Sequence, residues 1–328
     1  MLKFTRRNAI LACLAASCLA YAAPGLAQED YPGKPISIVV PFPPGGTTDL
    51  VARSLADGLA KSLGQAVLVE NKPGAGATLG ADYVAKSRPD GYILLMGAVH
   101  HTVAPSVYKH LPYDFGKDLA PITTVAMVPN VLSVNPEKTP ARSVAELVAL
   151  AKKEPGQLTF GSNGIGTAQH LIGTLFQIQT GTTLLHIPYK GSAPLTTDLL
   201  GGQVNMSFDS ITPVLPFIQN GKLRALAVTT GKRTSLLPDV PTLQEAGLPE
   251  FDIQTWYGIM APAGTPQAVV DKLNAASLKI IKSDAFAKKM RAAGCETMGS
   301  TPQEFAKLIA DDTKKFAKIA REGHIIAQ

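Results

Sequence analysis

Short β-branched apolar runs alternate along this chain with longer segments whose apolar residues recur every three or four positions. ISIVVPF (36–42) is apolar almost throughout and predicts a buried strand. The stretch 49–64 carries Leu50, Ala52, Leu55, Leu59 and Leu63 at helical spacing and stops at Gly64. AVLVEN (66–71) predicts a second strand, ATLGADYVAKS a second helix, and YILLMG (92–97) a third strand after the turn Pro89-Asp90-Gly91. The alternation resumes with SVAELVALAKKEP (helix), LTFGS (strand), AQHLIGTLFQIQTG (helix), LLHIPY (strand), PLTTDLLGG (helix), then the strands VNMSFDS and LRALAVT. From Pro266 to Gly323 the pattern is almost entirely helical, broken at Gly294 and Pro302. Alternating β and α units of this kind imply an α/β fold with largely parallel sheets.

Two segments interrupt the alternation. Residues 121–136 and 249–266 are extended, apolar and marked by prolines. Two such strands bracketing an α/β unit suggest a chain that crosses into a second lobe and returns. The expected division is residues 28–128 with 256–328 in lobe 1, and 129–255 in lobe 2, a mixed, mostly parallel sheet in each, and a ligand cleft between them.

The first residues change the picture of where the protein works. Lys3, Arg6 and Arg7 precede an apolar stretch from Ala9 to Ala23, and small residues follow up to Ala27. That is the three-part layout of a secretory signal peptide, expected to span 1–27. The apolar stretch is short for a membrane span of about 20 residues. The Arg6-Arg7 pair leaves the export route open between the general secretory and twin-arginine pathways. Of the three cysteines, Cys13 and Cys18 lie in the signal, so Cys295 stands alone and no intramolecular disulfide is expected. The formal charge of +6 loses three cations and no acid with the signal, which leaves +3. Without long basic runs, that argues against nucleic-acid binding.

Four loops share one design: 41-PFPPGGTTD-49, 72-KPGAGAT-78, 161-GSNGIGT-167 and 189-YKGSAP-194. Each follows a predicted strand and precedes a predicted helix, the edge at which open α/β sheets bind ligands. Glycine lets a ligand approach the backbone closely, and the helix behind each loop adds unpaired N–H donors and a partial positive charge. Together they predict an anion site built from main chain. Thr47, Thr48, Ser162, Thr167 and Ser192 add hydroxyls, and Lys72 and Lys190 are the full positive charges in these loops.

Other chemistry finds little support. The Walker pattern, the GxSxG elbow, HExxH and CxxC are all absent, so neither a catalytic residue nor a cofactor or metal site is expected. His100-His101 follows a strand and either contacts a ligand or caps. His170, one turn into its helix, reads as a packed histidine. Asp209 ends the strand VNMSF and either contacts the ligand or caps the next segment. Asp49 reads as a bond to its own loop, and Cys295 as packing.

PFPPGGTTDLVAR, ENKPGAGATLGADYVAKSRPDGYILL, HLPYD, GTAQHL, HIPYKGSAPLTTDLLGGQV, GKLRALAVTT, LPDVPT and APAGTP, in this order, resemble the Bug family. These are the TctC-like periplasmic substrate-binding components of tripartite tricarboxylate transporters. The resemblance implies a two-lobed, type II-like periplasmic-binding-protein fold closing on a small organic acid, without catalysis. Carried over to the matching loops, it places Phe42, Gly46, Thr47, Thr48, Gly76 and Ala77 in the site on the first lobe. On the second it places Ser162, Gly166, Thr167, Tyr189, Lys190 and Gly191. His101 lies where the family varies; with Asp209 it completes the candidate set. The implied partners are a small carboxylate ligand and either membrane permease subunits or a sensor kinase, around a monomeric receptor. An exported enzyme acting on a small acidic substrate, and a ligand-dependent sensor subunit, are the alternative readings.

Overall fold

Strand β1 (Ile36–Val40) lies between β2 (Val67–Asn71) and β3 (Ile93–Ala98), parallel to both. Its residues are apolar without alternation because both faces of the sheet are covered. This computed structural model describes residues 31–249 and 251–325. The expected signal peptide and its cleavage site therefore lie outside the described residues. From Lys34 on, the chain forms one compact unit.

Helix α1 (Thr47–Leu63) packs Val51, Ala52, Leu55, Ala56 and Leu59 inward and ends at Gly64, whose φ of 68° accepts the left-handed turn. Each fully buried leucine contributes about 2 kcal/mol. After β2 come a single 3-10 turn at Ala75–Ala77 and helix α2 (Thr78–Ala85), then β3 and helix α3 (His100–Val107).

The chain leaves this first sheet along β4 (Leu119–Pro129) and enters the second along β5 (Val131–Val134). There follow α4 (Val144–Lys153), β6 (Thr159–Ser162), α5 (Ala168–Thr180), β7 (Leu185–Pro188), α6 (Ser192–Leu200), β8 (Met206–Ser207), α7 (Ile211–Gln219) and β9 (Arg224–Val228). It returns along β10 (Gln254–Pro262) and ends with α8 (Gln267–Ile281), α9 (Asp284–Ala292), β11 (Glu296–Thr297) and α10 (Pro302–Glu322).

The first sheet has the order β11-β4-β10-β3-β1-β2 and the second β7-β6-β8-β5-β9. One strand sense dominates each sheet. The exceptions are β10 and β11 in the first and β5 in the second, all antiparallel to their neighbours. Two of these three carry the crossing. A chain that passes from one sheet to the other and back runs in opposite senses, and β4 and β10 pair antiparallel from Leu119–Pro262 to Pro129–Gln254. Where β4 gives way to β5, buried Asn130 accepts hydrogen bonds on Oδ1 from Gln169 Nε2 (3.2 Å) and Thr255 Oγ1 (3.1 Å).

Helices α3 and α7 and the short β11 were not evident in the periodicity. Pro105 sits inside α3 and Pro216 inside α7, and each removes one helical N–H. Packing against the rest of the body holds these short helices despite the lost bond. Helix α10 begins with a capping box, Thr301 with Glu304, and Pro302 at its first turn. Trp256 of β10 donates from Nε1 to Asp312 of α10 at 2.7 Å and stands edge-on to Phe305.

Candidate functional site

The N-termini of α1 and α6 belong to different sheets and face one another. A β-carbon on Gly46 would stand 4.0 Å from Ser192 Cβ. Neither helix start has a side-chain cap. Between them lies a small cavity lined by Phe42, Gly46, Thr47, Thr48, His100, Asn163, Gly191, Ser192 and Tyr257, among others. It encloses about 20 Å³, room for one water-sized group. The free N–H groups of both helices and both positive dipole ends converge there. The buried Thr47 hydroxyl beside them stands by the Tyr257 phenol and makes no well-formed hydrogen bond within the protein. No lysine or arginine lines this cavity. Gly191 is required twice over: its φ is +109°, and a side chain would press on Pro43 Cδ at 3.2 Å.

A second chamber of about 290 Å³ adjoins the first, sharing Phe42, Pro43 and Asn163. Its walls are Pro41, Pro73 to Ala77, Gly164, Tyr189 and Lys190. Ala75 and Ala77 have positive φ, 46° and 81°. For residues with a β-carbon this stores on the order of 1 kcal/mol each, and such strain clusters at ligand clamps. Gly76 is hemmed in by Ile165 O and Tyr108 Oη, both 2.6 Å from where its β-carbon would be. Tyr189 donates to Asp198 at 2.8 Å, and burial followed by that carboxylate pushes its phenol up to about 12.

The loop 161–167 is organised differently from expectation. Three of its amides, and that of Ala168 just after it, are already engaged within the protein. Gly164 N–H donates to Ser162 Oγ (3.2 Å), Gly166 N–H to His170 Nδ1 (3.3 Å), Thr167 N–H to Gly164 O (3.3 Å) and Ala168 N–H to His100 Nδ1 (3.0 Å). Thr167 caps α5 through its own side chain. Ser162, Gly166 and Thr167 therefore stand behind the cavity, and Asn163 and Gly164 are the parts of the loop that reach a wall. The sequence showed the loop but not the imidazoles that occupy it, one from the helix that follows it and two from other segments. The third is His186, whose Nε2 pairs with Ser162 Oγ at 2.6 Å.

Of the remaining candidates, Phe42, Gly46, Thr47, Thr48 and Gly191 line the first cavity, and Gly76, Ala77, Tyr189 and Lys190 the second chamber. His101 turns into the core. It stacks on Phe115 at 4.8 Å and engages the Ala98 backbone through Nδ1, so His100 rather than His101 faces the site. Asp209 lies one layer back, fully buried, where it accepts from Asn163 Nδ2 (2.9 Å) and Ser210 N–H (2.7 Å). Burial raises its carboxyl, and bonds from Ser192, Asn163 and Ser210 partly offset that. Asp49 bonds its own helix and loop. Burial alone would raise it, but Arg53, Asn71 and Gly45 hold it below the usual carboxylate range. Cys295 is buried, its thiol pushed up by burial to about 11. Asn163 and Tyr257 are wall residues that were not singled out from the sequence, and of the two readings open for His100 the structure shows the one at the cavity wall. Tyr257 lies in the returning crossover, and its phenol pairs with Ser210 Oγ at 3.3 Å.

Among the described residues no helix is long and apolar enough to cross a membrane, and no cluster of potential metal ligands is present. The chain matches the family model described as "Tripartite tricarboxylate transporter family receptor" over residues 51–325. It is 40% identical to Protein BugT of Bordetella pertussis, over 98% of each chain. Among solved structures it resembles "R. palustris Rpa4515 with adipate" (36% identity, TM-score 0.88, 91% of this chain and 100% of that one). It also resembles "Structure of periplasmic binding protein BugD" (38% identity, TM-score 0.86, 90% of this chain and 100% of that one).

Proposed function

Since this chain belongs to the tripartite tricarboxylate transporter receptor family, we propose that it is a periplasmic receptor for a small organic carboxylate, not an enzyme. One observation carries the reading. Two uncapped helix N-termini, one from each sheet, meet at a cavity the size of a carboxylate oxygen, with no full cation on its wall. One carboxylate sits between Thr47–Thr48 and Ser192–Ala193. The body of the acid extends past Phe42 into the chamber of Gly76, Ala77 and Tyr189, with Lys190 at the wall for a distal polar group. An acid larger than a water enters only if the sheets part, so the division at 129 and 255 acts as a hinge through β4 and β10. The closed protein then presents its ligand to permease subunits. Adipate in the relative's structure is consistent with a linear dicarboxylate of this reach.

Denaturing freshly purified protein and identifying the released acid by mass spectrometry tests this. A receptor returns an unchanged carboxylate in stoichiometric amount and, refolded, rebinds it. Conversion of that acid during incubation with native protein would support the rival reading, an exported enzyme.

A further inference from the structure

His100 makes a contact that neither a ligand wall nor a core position requires. Its ring lines the cavity, edge-on to Phe42 with centroids 5.2 Å apart. Its Nδ1 accepts the N–H of Ala168, the first residue of α5, at 3.0 Å. His100 follows β3 of the first sheet and Ala168 follows β6 of the second. This bond therefore joins the two sheets across the cleft. It also fixes the tautomer. A ring that accepts on Nδ1 carries its proton on Nε2, and among the described residues no protein acceptor for that proton is recorded.

We propose that His100 couples ligand binding to lobe closure, donating from Nε2 to the carboxylate in the cavity while Nδ1 latches the amide of Ala168. The assignment rests on the carboxylate-receptor reading for its ligand half; the latch half stands on the interlobe bond alone. A ligand that draws on Nε2–H orients the ring so that Nδ1 meets α5. Parting the sheets exposes a helix N–H that then has only water to bond. Tyr108 makes a parallel contact, donating to Ile165 O at 3.0 Å across the same gap. Burial, and next the neighbouring His101, keep the His100 ring neutral by lowering its pKa to about 3, so the required proton arrangement persists through the neutral and mildly acidic range. The titratable groups around it are its neighbour His101, lowered to about 4 chiefly by burial, and Tyr257 on the same cavity wall, whose phenol burial pushes up.

Two substitutions separate the two ring nitrogens. His100→Asn places an amide oxygen near the position of Nδ1 and removes the donor at Nε2. His100→Gln places a side-chain N–H near Nε2 and removes the acceptor at Nδ1. Lobe separation is read by electron-electron distance measurements between spin labels at Lys61→Cys and Lys152→Cys, in protein with Cys13 and Cys18 replaced by serine; Cys295 is buried. Binding rates are read with adipate as probe. The expected result is a closed, short-distance population in the wild type and in His100→Asn, and a closed fraction about tenfold smaller in His100→Gln. With adipate, His100→Gln releases about tenfold faster at unchanged association rate, whereas His100→Asn binds about tenfold more weakly with closure retained. The proposal is overturned if both variants keep the wild-type distances and release rate. It is also overturned if both lose affinity, closure and melting temperature together, or if the wild type shows no short-distance component with or without acid. If adipate and the released native acid both fail to bind the wild type, the receptor reading and the Nε2–ligand half fall. The distance measurement on unliganded protein still decides the latch.

Discussion

The imidazole rings of His170 and His186 stack face to face, centroids 3.9 Å apart and planes 10° from parallel. One holds Gly166 and the other Ser162, so this pair braces the loop behind the ligand cavity from two sides. A protonated His170 presents a donor to the Gly166 N–H, and a second charge on the stack repels the first. Burial lowers His170 to about 4, and burial with repulsion from His170 lowers His186 to about 3.

The pH dependence follows with a definite sign. The folded values lie below the unfolded one of about 6.5, so the unfolded chain takes up protons first. Stability is complete above pH 6.5 and drains as pH falls toward 4. Between pH 7 and pH 5 the loss is about 2 kcal/mol for each ring and so about 4 kcal/mol for the pair, or roughly 8 °C in melting temperature. His186→Gln should flatten that slope. A melting temperature that stays level from pH 7 to pH 5 in the wild type would refute the neutral-pair account.

Thr47→Val separates binding from stability. The Thr47 hydroxyl is buried beside the Tyr257 phenol without a well-formed hydrogen bond, and valine matches its shape. Removing the hydroxyl should leave stability unchanged or raise it by up to about 1 kcal/mol, while adipate binding weakens several-fold. Calorimetry and thermal melts on the same sample decide it. A destabilised protein with full affinity is the contrary outcome.

Asn130 is the joint of the crossing. Its Oδ1 serves Gln169 and Thr255, so Asn130→Ala leaves two buried donors unpaired. The cost should be about 1–3 kcal/mol, a fall of roughly 2–6 °C. The broadened scattering profile of a loosened hinge should accompany it. An unchanged melting temperature would show that Asn130 is not structural.

The sequence made the periodic parts legible: β1, β2 and β3, helices α1, α4, α5 and α10, and the two extended segments that became β4–β5 and β10. It was less clear at α3 and α7, where prolines mask helices stabilised by packing. At the site, the glycine loops around 46, 76 and 191 reached the cleft because their helices start there. The loop at 161–167 looked equivalent because glycine content reports what a backbone is free to do, not who occupies its amides. That depended on His170 at the start of the following helix and on His100 and His186, brought in from other segments. The choice between His100 and His101 turned on which face of a proline-containing helix meets the cavity, a rotation of about 100°.

Gly166→Val should act by wedging the two sheets apart rather than by blocking an anion site. The Gly166 N–H already bonds His170, and a side chain at φ +76° would press on Tyr108 and Val107 at 3.1 and 3.2 Å. The substitution should hold the two sheets apart. Adipate release should accelerate at least tenfold, with the radius of gyration of the liganded protein left at its open value in small-angle scattering. Normal closure by Gly166→Val would mean the contact with Tyr108 is slack.

The central claim is that the carboxylate lies between the N-termini of α1 and α6. Backbone ¹⁵N–¹H spectra recorded during titration with adipate, or with the acid released from the native protein, test it most directly. The account predicts the largest downfield amide shifts at Thr47, Thr48, Ser192 and Ala193, with Gly164 and Gly166 moving little because their amides are already bonded. Shifts concentrated at Gly164 and Gly166, with Thr47 and Ser192 unmoved, would contradict it.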